Sequence, residues 1–241
     1  MAEVKREYYR SGKLKSEWFE INGIKEGEYK QYYETGQLFN ICNYVNGIKE
    51  GESKSYYKNG QLDRICNFIN GNIEGEWKYY TINGQICQIW NYVNGKIVEK
   101  KCYYNGTTHY IFNYVNGIKE CESKYYYENG QLRRICNFVN EKIEGLDKHY
   151  YNNGQIHEIY NYVNGYKKGE QKYYYQNGQL WLICNFGDKE EYEGEYKYYY
   201  MNGQIKIVRN YVNGRKEGEE KIYHENGELI QIKNYINDYE V

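Results

Sequence analysis

A period close to 24 residues governs this chain. Its clearest copy runs from Gly47 to Asn70, GIKEGESKSYYKNGQLDRICNFIN. A glycine followed by Gln, Lys or Glu, usually with Leu or Ile next, stands at Gly12, Gly36, Gly60, Gly84, Gly130, Gly154, Gly178, Gly203 and Gly227, and Gly106 fills the same place with Thr-Thr behind it. The steps between these glycines are 24, 24, 24, 22, 24, 24, 24, 25 and 24 residues, which makes ten copies with the first and last incomplete. A fixed period of this length means one supersecondary unit repeated and stacked on its neighbours.

Each copy reads as a β-hairpin. In the copy from Gly27 to Val45, residues 28–34 and 38–45 are strand-like, rich in Tyr and Ile, with Thr35-Gly36 between them. Most copies carry Asn-Gly there, and Asn-Gly favours a type I′ turn with both central φ angles positive. That turn sets an expected register. Tyr33 faces Leu38, Gln31 faces Asn40 and Tyr29 faces Cys42. Tyr32 faces Phe39, Lys30 faces Ile41 and Glu28 faces Asn43. Period-two geometry then gives a core-like face with Tyr29, Tyr33, Leu38, Cys42 and Tyr44, and a mixed face with Glu28, Lys30, Tyr32, Ile41 and Asn43.

A second Asn-Gly recurs, as in Asn46-Gly47, and leads through a further glycine such as Gly51 into the next strand. That glycine suits a left-handed or bulged position. These glycines precede strands and not helices, so no phosphate loop is expected. Two copies are irregular. The short step at Gly106 predicts a shortened strand and a local bend over 95–121, and Gly187-Asp188-Lys189-Glu190-Glu191 predicts an outward bulge. The expected organisation is one repeat domain over 1–241, with a degenerate N-terminal cap at 1–22, regular hairpins over 23–236 and a C-terminal end at 237–241.

Composition fits a thin fold. Tyrosine occurs 35 times, so it must supply most of the buried area while its hydroxyl stays near water. Lys+Arg number 32 against 33 Asp+Glu, which gives no drive toward nucleic acid or an anionic membrane. No apolar run is long enough for a transmembrane helix, and residues 1–5 do not open a signal peptide. An intracellular, cytoplasmic setting is expected. Of the seven cysteines, Cys42, Cys66, Cys136 and Cys184 share one repeat position. Equivalent strands lie about 9.5 Å apart, beyond the roughly 7 Å that a disulfide spans. These cysteines are expected as reduced, buried, small hydrophobes.

The motif Tyr-Tyr-x-x-Gly-Gln-Leu, followed by Asn-Tyr-x-x-Gly-x-x-x-Gly-Glu-x-Lys, resembles the MORN repeat, and more closely the variant found in bacterial antitoxin-like proteins and giant DNA viruses. The resemblance covers nearly the whole chain. It implies an all-β fold: an elongated, twisted, single-layer antiparallel sheet of tandem hairpins with aromatic ladders. It also implies scaffolding or self-association, and in some members proximity to membranes, which the neutral charge here does not support. A chain with no Pro, a single Ala and abundant Asn, Lys and Ile fits an AT-rich genome and stands nearer the viral relatives, whose setting would be a host cytoplasm.

No catalytic chemistry, cofactor fingerprint or metal spacing is found. The register puts His149 opposite Glu158 and His157 opposite Tyr150, a pairing more in keeping with a cross-strand contact than with catalysis. Repetition offers no unique constellation, so an enzyme is not expected. Binding belongs instead to the variable position three residues after each turn glycine. Phe39, Arg133, His157 and Trp181 are the candidates, on the mixed face beside the ladder that includes Tyr32, Tyr126, Tyr150 and Tyr174. The core-like face carries a stripe of pairs, among them Ser55/Arg64, Lys101/Tyr110, His149/Glu158, Tyr173/Leu182 and Tyr198/Ile207. Its late, apolar part, Tyr173, Leu182, Tyr198 and Ile207, is the candidate for self-association, because a single layer must cover its apolar side. The expected function is a non-catalytic scaffold for a protein partner or for homo-oligomers. The alternatives are an antitoxin-type protein that neutralises one partner, and a carbohydrate or lipid-surface binder working through its tyrosine ladders.

Overall fold

The computed structural model describes residues 1–241 and contains 25 strands and no helix. The strands gather into two compact units, Met1–Ile118 and Lys119–Val241. Each unit is an open run of antiparallel hairpins in a single layer.

In the first unit, Ile48–Tyr56 and Leu62–Ile69 form one hairpin, and Ile69 leads through Asn70-Gly71 into Asn72–Tyr80. The two Asn-Gly pairs of a copy make different turns. At Asn46-Gly47 both residues have positive φ, 50° and 77°, and Val45 pairs directly with Ile48. This is the type I′ turn. At Asn59-Gly60 only the glycine is left-handed, with φ 85°. Tyr57 N donates to Gln61 O at 2.8 Å, Gly60 N donates to Tyr57 O at 2.9 Å, and Asn59 Oδ1 accepts from Gln61 N at 3.1 Å. Here asparagine serves through its side chain and the glycine closes a bulged turn.

The type I′ expectation at Thr35-Gly36 is thereby corrected, and the register near the turn with it. Tyr32 pairs with Leu38, not Phe39, while Gln31–Asn40, Lys30–Ile41, Tyr29–Cys42 and Glu28–Asn43 pair as expected. Phe39 is the extra residue of a β-bulge. Leu38 therefore joins the Glu–Lys face, opposite Tyr32. The same shift falls between Tyr125/Tyr126, His149/Tyr150 and Tyr173/Tyr174 in the second unit, so Tyr150 faces Ile156 and not His157.

The short copy keeps its strand length. Lys96–Tyr104 and Thr107–Val115 each have nine residues. What shrinks is the turn: Asn105 and Gly106 both have positive φ, 49° and 79°, so a type I′ turn replaces the longer one. The expected shortened strand is not found. The bulge is kept, with His109 as its extra residue, and beyond it the register moves by one, so Cys102, not Lys101, faces Tyr110, and Lys101 faces Ile111 on the charged face. The opposite exchange occurs at 187–191. Gly187 N donates to Glu191 O at 2.8 Å, and Glu190, with φ 59°, holds the left-handed place.

In each unit the core lies on one face. Cys42, Cys66 and Cys102 are buried in the first unit, and Cys136, Phe138, Leu182, Cys184 and Tyr235 in the second. All seven cysteines are free; Cys87 is half-buried and Cys121 is exposed. Burial pushes the thiols of Cys136 and Cys184 up to about 11, which keeps them protonated. The other face carries the charge ladder, with Lys78–Glu76 at 2.7 Å, Lys124–Glu122 at 2.6 Å and Lys197–Glu195 at 2.7 Å. These exposed pairs each contribute well under about 1 kcal/mol.

Candidate interaction face

Cross-strand pairing in the second unit builds one continuous stripe on the core face. It runs Tyr125, Arg134, His149, Glu158, Tyr173, Leu182, Tyr198, Ile207 and Ile222. The four residues singled out for self-association therefore stand side by side. Trp181 stands with them. Its ring lies 5.9 Å from Tyr173 and 5.8 Å from Tyr198, both edge-on, and 6.2 Å from Tyr175. A bulge residue shares a face with its successor, here Leu182, which is why Trp181 faces this way.

The variable position is thus on the core face and not on the mixed face. Phe39 packs on Tyr33 at 5.0 Å and His157 on Tyr151 at 4.3 Å. Arg133 occupies the same bulge and is exposed. Tyr32, Tyr126, Tyr150 and Tyr174 lie on the opposite face, where they pair with Leu38, Leu132, Ile156 and Leu180. The eight residues expected to form one partner site divide between two faces. The physical cause is the single extra residue per hairpin.

The polar end of the stripe is a closed ion-pair cluster. Arg134 Nε and Nη2 each donate to Asp147, both at 2.8 Å, and Asp147 is 1% exposed. His149 Nε2 lies 3.2 Å from Asp147 Oδ1, and His149 Nδ1 lies 4.0 Å from Glu158 Oε2. Burial alone would raise the Asp147 carboxyl, but His149 and Arg134 outweigh it and hold the group below the usual aspartate range. Burial, reinforced by Glu158, pushes the Tyr160 phenol up. Arg134 and Asp147 are bound to each other, with His149 packed beside them, which is the arrangement of a structural network. No three His, Cys, Asp or Glu side chains converge as a metal-ligand set.

Two recurring contacts had no role in the sequence reading. The lysine after Asn-Gly-x caps the aromatic row: Lys167 Nζ lies 3.5 Å from the Tyr160 ring centre, Lys119 3.9 Å from Phe138 and Lys216 4.5 Å from Tyr235. The glutamate four residues after that asparagine ties successive copies together. Glu50 accepts from Asn70 N at 2.7 Å and Glu144 from Asn164 N at 2.7 Å. The glutamate that precedes every connection glycine but Gly169, with lysine before it at Lys25, Lys49 and Lys216, was the available signal. A second tie comes from the tyrosine that opens the longer turn, as Tyr57 OH donates to Tyr80 O at 2.6 Å and Tyr151 OH to Tyr174 O at 2.7 Å.

This geometry defines a hairpin-repeat protein whose copies are stapled through side chains. The MORN repeat variant model matches residues 4–19, 25–46, 49–70, 73–94, 119–140, 143–164, 167–188, 192–213 and 216–237, and the chain belongs to that family. MORN repeats are interaction repeats. The unmatched stretch between 94 and 119 is the copy that exchanged its turn. Among curated proteins no relative matches. Solved structures similar to the chain include a crystal structure of TcdB2-TccC3-Cdc42, at 12% identity over 96% of this chain, with TM-score 0.23. The chain spans 14% of that protein's length. A Photorhabdus luminescens Tc holotoxin pore is similar at 11% identity over 92% of this chain and 14% of its own, with TM-score 0.21. A porin-like protein from Bacteroides uniformis is similar at 9% identity over 100% of this chain and 92% of its own, with TM-score 0.21. At such scores the likeness carries no argument about function.

Proposed function

We propose that this MORN-repeat chain is a non-catalytic scaffold that binds a protein partner, or a second copy of itself, through the aromatic face of its second unit. The observation that supports this reading is the Trp181 cluster. Trp181, Tyr173 and Tyr198 stand together beside Leu182 and Ile207, at the end of the stripe that no ion pair occupies. Aromatic anchors on an apolar floor, bordered by Arg and Lys, have the composition of interaction hot spots. In the single-layer unit no second layer of the fold covers this row.

The test is affinity capture and sedimentation of the chain carrying Trp181→Ser with Tyr198→Ser, beside a control carrying Tyr150→Ser with Tyr174→Ser on the opposite face. The expected result is loss of the captured partner, or of the dimer, in the first variant alone. Equal binding by the native chain and the first variant would remove the proposal.

A further inference from the structure

Ser53 and Ser55 interrupt the aromatic face of the first unit. The corresponding residues are Tyr29 and Gln31 one copy earlier, and Trp77 and Tyr79 one copy later. Two small side chains between large ones leave a cavity of about 210 Å³, lined by the serines with Asn40, Lys49, Arg64 and Trp77. Ser53 and Ser55 are 7% and 5% exposed, so the floor is deep.

The polar groups of this cavity are incomplete. Trp77 Nε1 and Asn40 Oδ1 are buried without hydrogen-bond partners. Asn40 Nδ2 makes only a long contact, 3.5 Å, to Ser55 Oγ. The Trp77 ring has little freedom to turn toward another acceptor. It is stacked on Tyr79 at 5.2 Å and 16°, and packed by Trp90 at 6.3 Å and Tyr92 at 6.0 Å. An indole N–H held in this way needs an acceptor brought from outside.

Charge selects the acceptor. Lys49 and Arg64 bring two positive charges to the lining, and Asp63, whose Oδ2 lies 3.5 Å from Arg64 Nε, answers one of them. One positive charge is left, which suits a singly charged anion better than a dianion. A cavity of about 150 Å³ holds a benzene ring, so this one has room for a ring-sized acid. Phe68 and Cys66 supply the apolar wall.

We propose that this cavity binds a carboxylate group. Trp77 Nε1–H and the Arg64 guanidinium donate to the two carboxylate oxygens, as guanidinium geometry favours. Lys49, whose Nζ lies 4.9 Å from the Phe68 ring centre, closes the site from the side. The carboxylate belongs either to a free small acid or to a glutamate of a peptide segment, and the chemistry is shared.

The experiment uses heteronuclear NMR of the nitrogen-labelled full chain. Its four tryptophans give four indole signals, and Trp77→Phe identifies one of them. Benzoate is titrated in one arm and a blocked Ala-Glu-Ala peptide in the other. The expected result is a saturable shift of the Trp77 signal alone, in at least one arm. The apparent Kd should rise at least tenfold in Arg64→Gln. Ser55→Tyr, which fills the space with the residue found at Tyr79, should abolish the shift while circular dichroism remains native. Saturation by benzoate alone assigns a free acid, and saturation by the peptide alone assigns a protein-borne carboxylate. No saturable shift in either arm, or a shift that Arg64→Gln leaves unchanged, overturns the proposal.

Discussion

Cys121 shows how one residue can carry a backbone cost. It stands where other copies have a glycine, and its φ is 62°. Glu141 fills the second place of a type I′ turn with φ 64°. A side chain in the left-handed region costs about 1 kcal/mol or more, so Cys121→Gly and Glu141→Gly should each stabilise the second unit by about 1 kcal/mol in urea denaturation. Unchanged or lowered stability would contradict the assigned turn geometry. Asp147 carries the pH dependence. Its carboxyl is held below the ordinary range, so its contribution is complete above the unfolded value of about 3.9 and is lost as pH falls through the lower folded value. Asp147→Asn leaves the half-buried Arg134 without its charge partner and should cost about 2 kcal/mol near neutrality. The variant should then lose less of its remaining stability than the native chain on acidification; equal acid sensitivity would assign that sensitivity to other groups.

At the scale of the hairpin, the period, the strands and the far register were legible in the sequence. Alternation of Tyr29, Gln31 and Tyr33 against Glu28, Lys30 and Tyr32 was enough to separate the faces. The turns were not legible, because Asn46-Gly47 and Asn59-Gly60 are the same dipeptide put to different use. Asn46 contributes its own left-handed backbone and Asn59 contributes Oδ1. The difference lies in Tyr57 and Gln61, which close a longer loop whose tyrosine is anchored in the next copy. Reading that loop as a two-residue turn put Leu38 and the whole Phe39 row on the wrong faces, and with them half of the candidate partner site. The tyrosine anchor itself is testable. Tyr57→Phe and Tyr151→Phe keep the ring and remove one hydrogen bond to the next copy, so each should cost about 1 kcal/mol. Hydrogen exchange should quicken in that copy and its successor; quickening spread evenly along the unit would show that the bond is not a local staple.

The whole molecule depends on tyrosine for its stability, and alkali should expose this. Burial pushes the phenols of Tyr79, Tyr173 and Tyr196 up to about 12. A raised folded value means the stabilisation is complete below the unfolded value of about 10 and is lost as pH rises toward 12. Phenolate absorbance and loss of β circular dichroism should therefore rise together across that window. Tyrosines that all titrate near pH 10 with the fold intact would contradict the burial described. The central claim is that contact is made by the bulge-bearing aromatic face and not by the Glu–Lys face. Hydroxyl-radical footprinting of the chain, free and with its captured partner or at self-associating concentration, tests it most directly. The expected result is protection of Trp181, Tyr173 and Tyr198, with the row of Tyr126, Tyr150 and Tyr174 unchanged. Protection of that row, with Trp181 still oxidised at its free rate, would contradict it.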